Sequence, residues 1–146
     1  MITIFEKGMR ISIDDICKLE ESIGFSIPDT YKLFLIENNG GHPEPNGIDI
    51  KGISHGETDI AWFMGINRNI ESSNILFVYN LIKDSYDRKI LPIASDSFGG
   101  LFCIDMEMQN EFPIVYIEWG ASWEKGAYNP LFVASGFETF LKIIHE

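Results

Sequence analysis

Cysteine, histidine and basic residues are scarce in this chain of 146 residues, and no long apolar run is present. The longest stretch without a charged residue, Gly126 to Phe137, has 12 residues. A membrane-spanning helix needs about 18 or more apolar residues, so the sequence predicts no such helix and no membrane partner. The first residues show no basic segment followed by an apolar one, so we expect no signal peptide and a cytoplasmic location.

The scarcity of positive charge bears on the kind of partner. Eleven Lys and Arg face 22 Asp and Glu, which gives a formal net charge of −11. Nucleic-acid binding depends on basic side chains that displace counterions from phosphates, so we expect no nucleic-acid partner. An acidic surface field speeds encounter with a basic protein, although it also serves solubility alone. The charge is therefore compatible with a basic protein partner without requiring one.

Few residues suit metal or nucleophilic chemistry. Cys17 and Cys103 are far apart in the sequence, and both are interpreted as small packed side chains rather than metal or redox groups. His42 and His55 lie in loops with acidic neighbours, but their spacing matches no known metal motif. We therefore expect no metal, no cofactor and no enzymatic activity. A small enzyme using His42, His55 or Cys103 is the alternative from a different functional class.

Hydrophobic periodicity predicts four helices. Ser12 is a suitable N-cap for the first helix, and Gly24 is suited to end it. Pro28 suits the start of a second helix, which Asn39-Gly40-Gly41 stops. A third helix is predicted over 75–82, capped by Ser72 or Ser73, and a fourth carries Phe137 and Phe140 after a cap at Ser135.

Short apolar runs between turn residues predict strands at 48–50, 60–64, 91–94, 101–106, 114–119 and 131–134. Most of these strands follow one another through short connections, which favours antiparallel pairing. The prediction is a single α+β domain spanning residues 1–146. Its sheet is mainly antiparallel, with a mixed sheet as the alternative, has about six strands, and carries helices packed against one face.

Four segments together resemble the SUKH superfamily of Smi/Knr-type proteins. Residues 27–41 (IPDTYKLFLIENNGG) are similar to its helix and Gly-Gly turn, and residues 93–105 (IASDSFGGLFCID) to its glycine-rich hairpin. Residues 113–119 (PIVYIEW) resemble a strand of the family, and residues 134–141 (ASGFETFL) its closing helix. The chain departs from the pattern at Ser97-Phe98, where the family often has glycine.

The resemblance implies a protein that binds other proteins. The superfamily includes bacterial toxin-immunity proteins and yeast glucan-synthesis regulators. It therefore implies an immunity protein that neutralises a toxin, most simply a basic toxin domain, by direct contact. A regulatory scaffold of the Smi/Knr type is the alternative within the same class. The resemblance leaves the oligomeric state open.

An uneven distribution of charge indicates where a partner binds. Six acidic residues and no Lys or Arg lie between Ile90 and Glu124. If the strands of this stretch pair, several acids gather beside aromatic residues, a combination common at protein interfaces. The sequence therefore predicts a partner-binding surface composed of Asp105, Glu107, Glu111, Glu118 and Trp123.

Overall fold

The computed structural model describes residues 2–53, 56–86, 88–108, 111–118 and 130–146. Within these ranges the α-helices and one short 3-10 helix are α1 (Ile13–Ile23), α2 (Asp29–Asn38), the 3-10 helix (Glu71–Ser73), α3 (Ile75–Ile82) and α4 (Phe137–Lys142). The strands are β1 (Thr3–Phe5), β2 (His42–Glu44), β3 (Gly47–Asp49), β4 (Glu57–Asp59), β5 (Trp62–Phe63), β6 (Ile90–Ser95), β7 (Leu101–Asp105), β8 (Ile114–Ile117) and β9 (Leu131–Ala134). No helix of the described residues is long and apolar enough to cross a membrane.

The main sheet has five strands in the order β5-β6-β7-β8-β9, and all neighbours run antiparallel. Two further antiparallel pairs, β1-β2 and β3-β4, form small separate sheets. The predicted α+β fold with an antiparallel sheet is confirmed. The main sheet has one strand fewer than the predicted six because residues 48–50 belong to the small β3-β4 pair instead.

Aromatic side chains attach helices α2 and α4 to the main sheet. The ring of Phe34 in α2 lies 4.8 Å from that of Phe63 in β5, and Phe140 in α4 lies 5.4 Å from Phe102 in β7. All four rings are buried, as is Phe137, which contacts both Phe34 and Phe63. Large rings contribute much of the buried area of a core, so this cluster fixes both helices onto one face of the sheet.

The predicted start of α1 is confirmed in detail. The Ser12 hydroxyl accepts a hydrogen bond from the Asp15 N–H at 3.3 Å, and the Asp15 carboxylate accepts one from the Ser12 N–H at 2.8 Å. This reciprocal capping box satisfies two N–H groups that the first turn leaves without helical partners. The hydrogen bonds that the Asp15 carboxylate accepts from the Ser12 N–H and the Ser12 hydroxyl lower its pKa. Gly24 ends the helix in the left-handed conformation, with φ of 86°.

Other local predictions are wrong. The segment 60–64 forms a strand only at Trp62–Phe63: the Ile60 N–H donates to the Asn46 carbonyl outside the main sheet, whereas the Met64 N–H still donates to Ile93 in β6. Helices α3 and α4 are preceded by Asn74 and Gly136 rather than by serine, and neither start has a side-chain cap. Cys17 is exposed, whereas Cys103 is buried as predicted.

The Asn-Gly-Gly sequence after α2 joins three separate parts of the chain. Asn39 is 1% exposed and has a left-handed backbone with φ of 50°. Its side-chain amide donates to the carbonyls of Met9 and Ile66, both at 2.9 Å, and its side-chain oxygen accepts from the Ile66 N–H at 2.7 Å. The Arg68 guanidinium donates to its backbone carbonyl at 2.7 Å. Asn39 therefore stabilises the fold through bonds that its neighbours in sequence do not supply.

Candidate protein-binding surface

The fold separates the acidic residues of the predicted surface into two groups. Strands β7 and β8 are antiparallel, and Leu101 pairs with Ile117 at one end of the hairpin. Glu118 follows Ile117 at that end, whereas Glu107 and Glu111 lie in the loop at the other end. At about 3.3 Å per residue, the strand between them separates the two groups by roughly 15 to 20 Å. The structure therefore does not gather these acids into one patch.

Asp105 is not an exposed acidic residue. It is 5% exposed, and its carboxylate accepts two hydrogen bonds from the Arg88 guanidinium, at 2.8 Å from Nη2 and 3.0 Å from Nε. The expectation that this carboxylate lies on the surface without a compensating cation is wrong. Arg88 lies just outside the stretch from Ile90 to Glu124, yet the pairing of β6 with β7 brings it beside Asp105.

The loop after β7 is also partly neutralised. Glu107 and Glu111 are exposed. The Glu107 carboxylate accepts a hydrogen bond from the Lys89 N–H at 3.1 Å, which places it beside two consecutive basic residues, Arg88 and Lys89. This end of the hairpin therefore combines acidic and basic groups. Trp123, the remaining member of the predicted surface, lies outside the described residues.

The opposite end of the hairpin is built around a buried carboxylate. Asp96 is 1% exposed and directly follows strand β6. One of its carboxylate oxygens accepts from the N–H groups of Phe98 at 3.0 Å and Gly100 at 2.7 Å. The other accepts from the Thr58 hydroxyl at 2.8 Å and from the Tyr116 hydroxyl. Asp96 thus fixes the turn and ties strands β4 and β8 to it.

The two glycines of this turn have different physical roles. Gly99 has φ of 87°, a left-handed conformation that side chains other than glycine adopt at a cost. Gly100 lies directly against the Tyr116 hydroxyl, so a Cβ atom at this position would collide with the ring. The glycines that resemble the family pattern therefore serve the turn and its contact with Tyr116.

Negative charge concentrates around the Tyr116 hydroxyl. Burial raises the pKa of Tyr116, and the hydrogen bond to Asp96 and the carboxylates of Asp96, Glu118 and Asp59 raise it further. Asp59, at the end of β4, accepts hydrogen bonds from both the N–H and the hydroxyl of Ser97. Asp59 and Glu118, both partly exposed, are therefore acidic groups close to this turn.

The turn between β6 and β7 carries an exposed apolar side chain, that of Phe98. Its side chain is 71% exposed, although its backbone N–H is bound by Asp96. Sequence reasoning did not include it among the partner-binding residues. The available signal was the departure from the family pattern at Ser97-Phe98, where an apolar ring replaces a residue that is often glycine.

The structure describes two of the three residues of the enzymatic alternative, Cys103 in β7 and His42 in β2. Cys103 is completely buried in β7, and burial followed by the charge of Asp105 raises the pKa of its thiol, which disfavours the nucleophilic thiolate. His42 Nδ1 lies 2.7 Å from the Ala61 carbonyl, and its Nε2 is 3.9 Å from Glu44. His55 lies outside the described residues. Among the residues that are described, no three His, Cys, Asp or Glu side chains are placed to hold a metal ion.

A cleft of about 310 Å³ lies beside His42 and is lined in part by Trp62 and Arg68. The Trp62 indole N–H and the Arg68 Nε are both buried without a hydrogen-bond partner. Arg68 also donates to the Glu6 carbonyl at 3.0 Å, and burial lowers its pKa. The lining of the cleft therefore includes hydrogen-bond donors, the imidazole of His42 and the hydroxyls of Ser72 and Ser73.

The sequence model of the SMI1 / KNR4 family (SUKH-1) matches residues 10–143. This range includes α1 through α4 and all strands except β1, so that only one strand of the small β1-β2 sheet lies outside it. No curated protein matches the chain. Because the match covers most of the chain, this protein belongs to the SMI1/KNR4 family, SUKH-1.

Proposed function

We propose that this chain is a non-enzymatic protein-binding domain that acts as an immunity protein and neutralises a toxin by direct contact. The observation that carries the proposal is membership of the SMI1/KNR4 family across residues 10–143. The net charge of −11 favours a basic partner, because opposite surface potentials speed encounter and stabilise the complex.

The roles of the family-like residues support binding rather than catalysis. Asn39, Asp96 and Gly100 are occupied in holding turns and neighbouring segments together. The buried Cys103 thiol, with its raised pKa, is unsuited to attack a substrate. The surface carries exposed acidic and apolar side chains, which suit contact with another protein.

The first test identifies the partner and its effect on cells. The tagged chain is expressed in its organism of origin, complexes are crosslinked, and a protein bound one-to-one is identified by mass spectrometry. That protein is then produced from an inducible promoter in a naive host, with and without the chain. We expect it to arrest growth alone and to be harmless when the chain is present.

The stoichiometry of protection separates binding from catalysis. Direct neutralisation requires about one chain per toxin molecule, whereas an enzyme would protect at a small fraction of that ratio. We expect the purified toxin's activity to fall linearly to zero at equimolar chain, and equally with His42→Ala. A non-toxic partner engaged in cell-wall synthesis would replace this proposal with the regulatory scaffold, and substoichiometric protection would replace it with the enzyme.

A further inference from the structure

The turn between β6 and β7, residues 96–100, presents one apolar ring to solvent on a fixed backbone. Phe98 is 71% exposed, and its N–H is held by the Asp96 carboxylate at 3.0 Å. On one side, the Ser97 N–H donates to Asp59 at 2.8 Å, and on the other the Gly100 N–H donates to Asp96 at 2.7 Å. A turn that is already ordered loses little conformational entropy when it binds, so a ring placed on it is a suitable anchor.

The charge around this ring is negative. The segments that form this end of the sheet, residues 57–67 and 90–118, contain no Lys or Arg. The exposed parts of Asp59 and Glu118 lie beside the turn, and neither makes an ion pair within the described part of the chain. The negative charges of both carboxylates also raise the pKa of Tyr116.

The loop at the other end of the β7-β8 hairpin has positive charge close to its acidic residues. Its acidic residues lie beside Arg88, which binds Asp105, and Lys89, whose N–H binds Glu107. A basic partner would meet compensating positive charge there, whereas at the 96–100 turn it would meet carboxylates that form no ion pair among the described residues. Electrostatic complementarity therefore favours the turn over the loop.

We propose that Phe98, flanked by Asp59 and Glu118, is the docking surface for a basic protein that offers an apolar socket rimmed by Lys or Arg. This inference rests on the proposed function, because the partner at this surface is the neutralised toxin. Phe98 is the anchor that slows dissociation, and the two carboxylates speed association. A second copy of the chain is disfavoured as the occupant, since each copy carries a net charge of −11 and would present the same acidic groups.

The position of the surface is tested by photocrosslinking in the cells that naturally produce the chain. A benzophenone-bearing phenylalanine analogue is placed at Phe98 and, in a matched variant, at Phe5, which is 49% exposed on strand β1 of a separate small sheet. We expect one discrete adduct from position 98 and none of the same protein from position 5. The captured protein should be basic, and its crosslinked peptide should contain Lys or Arg beside aliphatic residues.

The chemistry of the surface is tested on the captured protein after purification, by binding kinetics at two ionic strengths. Asp59→Asn with Glu118→Gln removes two charges while keeping an oxygen that accepts from Ser97. Glu107→Gln with Glu111→Gln removes the same charge from the opposite loop and is the control. We expect the first pair to slow association roughly 3- to 10-fold at low salt and the control pair to change it less than about twofold. Phe98→Ala should speed dissociation at least about fivefold, whereas Phe5→Ala should not.

The outcomes of these experiments test the docking surface and the proposed immunity function separately. No adduct at position 98, equal adducts at both positions, an acidic captured protein, or equal effects of the two charge pairs would each overturn the docking surface. If the adduct and kinetics are as expected but the captured protein is harmless to cells, the surface is correct and the immunity function is wrong. Near-ultraviolet circular dichroism of each variant verifies that the aromatic core is intact.

Discussion

Single polar side chains hold together parts of this fold that are distant in sequence. Asn39 is the main example, because its amide bonds Met9 and Ile66, which lie 30 and 27 residues away in the sequence. Both partners are backbone groups in loops, where no helix or β-sheet supplies them with hydrogen bonds. A buried backbone group left without a partner costs about 1 to 3 kcal/mol.

We expect Asn39→Gly to destabilise the protein by about 3 kcal/mol or more. Glycine tolerates the left-handed backbone at this position, so the variant isolates the loss of the three side-chain hydrogen bonds. The control is Asn38→Ala, whose side chain donates only to Phe34 in its own helix, and which should cost less than about 1 kcal/mol. Urea denaturation measures both, and equal midpoints would show that Asn39 does not join these segments.

The Tyr116 hydroxyl is the second residue-scale case. It donates to the buried Asp96 carboxylate, and a hydrogen bond to a charged group contributes about 1.5 to 3 kcal/mol. We therefore expect Tyr116→Phe to lower the free energy of unfolding by that amount. Tyr79→Phe, which removes a longer 3.3 Å bond to the Ile23 carbonyl, should cost about 1 kcal/mol or less. Chemical denaturation compares them, and a larger loss at Tyr79 would contradict this account of the turn.

These residue roles show how far sequence reasoning reaches at this scale. The Asn39-Gly40-Gly41 pattern predicts the end of α2, because left-handed conformations favour these residue types. The partners of the Asn39 side chain are not predictable in the same way, since nothing local links position 39 to position 66. Asp96 accepts hydrogen bonds from backbone groups of its own turn, which are local, but its bonds to Thr58 and Tyr116 depend on tertiary structure.

At the scale of elements, helices α2 and α4 depend on aromatic anchors. Phe34 contacts Phe63, and Phe140 contacts both Phe63 and Phe102. Each anchor is buried on the helix face that hydrophobic spacing indicated. Helix boundaries were predictable to within a few residues for this reason. The extent of the short strand β5 was not predictable in this way, because it depends on the partners that the fold supplies: the Ile60 N–H donates to Asn46, outside the main sheet.

We expect Phe34→Ala and Phe140→Ala each to cost about 3 to 5 kcal/mol of stability, because each leaves a cavity between a helix and the sheet. Leu33→Ala is the matched control on α2, since Leu33 is exposed and its removal opens no cavity. Thermal or urea unfolding provides the comparison. An unchanged midpoint for both phenylalanine variants would mean that α2 and α4 bury other faces.

The C-terminal residues attach to strand β3 through a pH-sensitive contact. His145 forms two backbone hydrogen bonds with Gly47, and its ring lies 3.0 Å from the Asp49 carboxylate. The backbone carbonyl of Glu146, and next the Asp49 side chain, raise the pKa of His145 above its ordinary 6.5. A histidine with a raised pKa contributes stability that is fully present below the ordinary value and is lost as the pH rises through the higher folded-state value.

We expect an NMR titration of His145 to give a pKa above 6.5. Asp49→Asn should lower that pKa without restoring the ordinary value, because the Glu146 carbonyl remains. Glu57→Gln, which removes a weaker charge interaction, should lower it less. A larger effect from Glu57 than from Asp49 would contradict the placement of the ring.

At the scale of the whole molecule, the location of an acidic surface depends on how charge is distributed over the folded chain and not on the net charge. The sequence predicted one acidic surface between Ile90 and Glu124, because charges were counted along the chain. Folding places Glu118 at one end of the β7-β8 hairpin and Glu107 and Glu111 at the other, and it buries Asp105 against Arg88. The α+β fold was predictable from periodicity, whereas the location of uncompensated charge depends on which strands meet. Phe98 was overlooked for a related reason, since exposure at a turn is a property of the folded chain.

The total charge predicts a dependence of stability on salt. With a net charge of −11, repulsion among exposed carboxylates opposes the compact state. Raising monovalent salt from about 0.01 M to about 0.15 M shortens the screening length from roughly 30 Å to roughly 8 Å and weakens this repulsion. The buried Arg88–Asp105 pair is screened much less, so repulsion is the quantity that changes.

We expect this change in salt to raise the free energy of unfolding by about 1 kcal/mol, seen as a rise in Tm of roughly 2 to 4 °C. The Glu107→Gln, Glu111→Gln variant has a net charge of −11 + 2 = −9 and should gain less. Calorimetry in NaCl and in KCl separates screening from effects of one particular ion, and a Tm that falls with both salts would show that attractive pairs dominate the folded state.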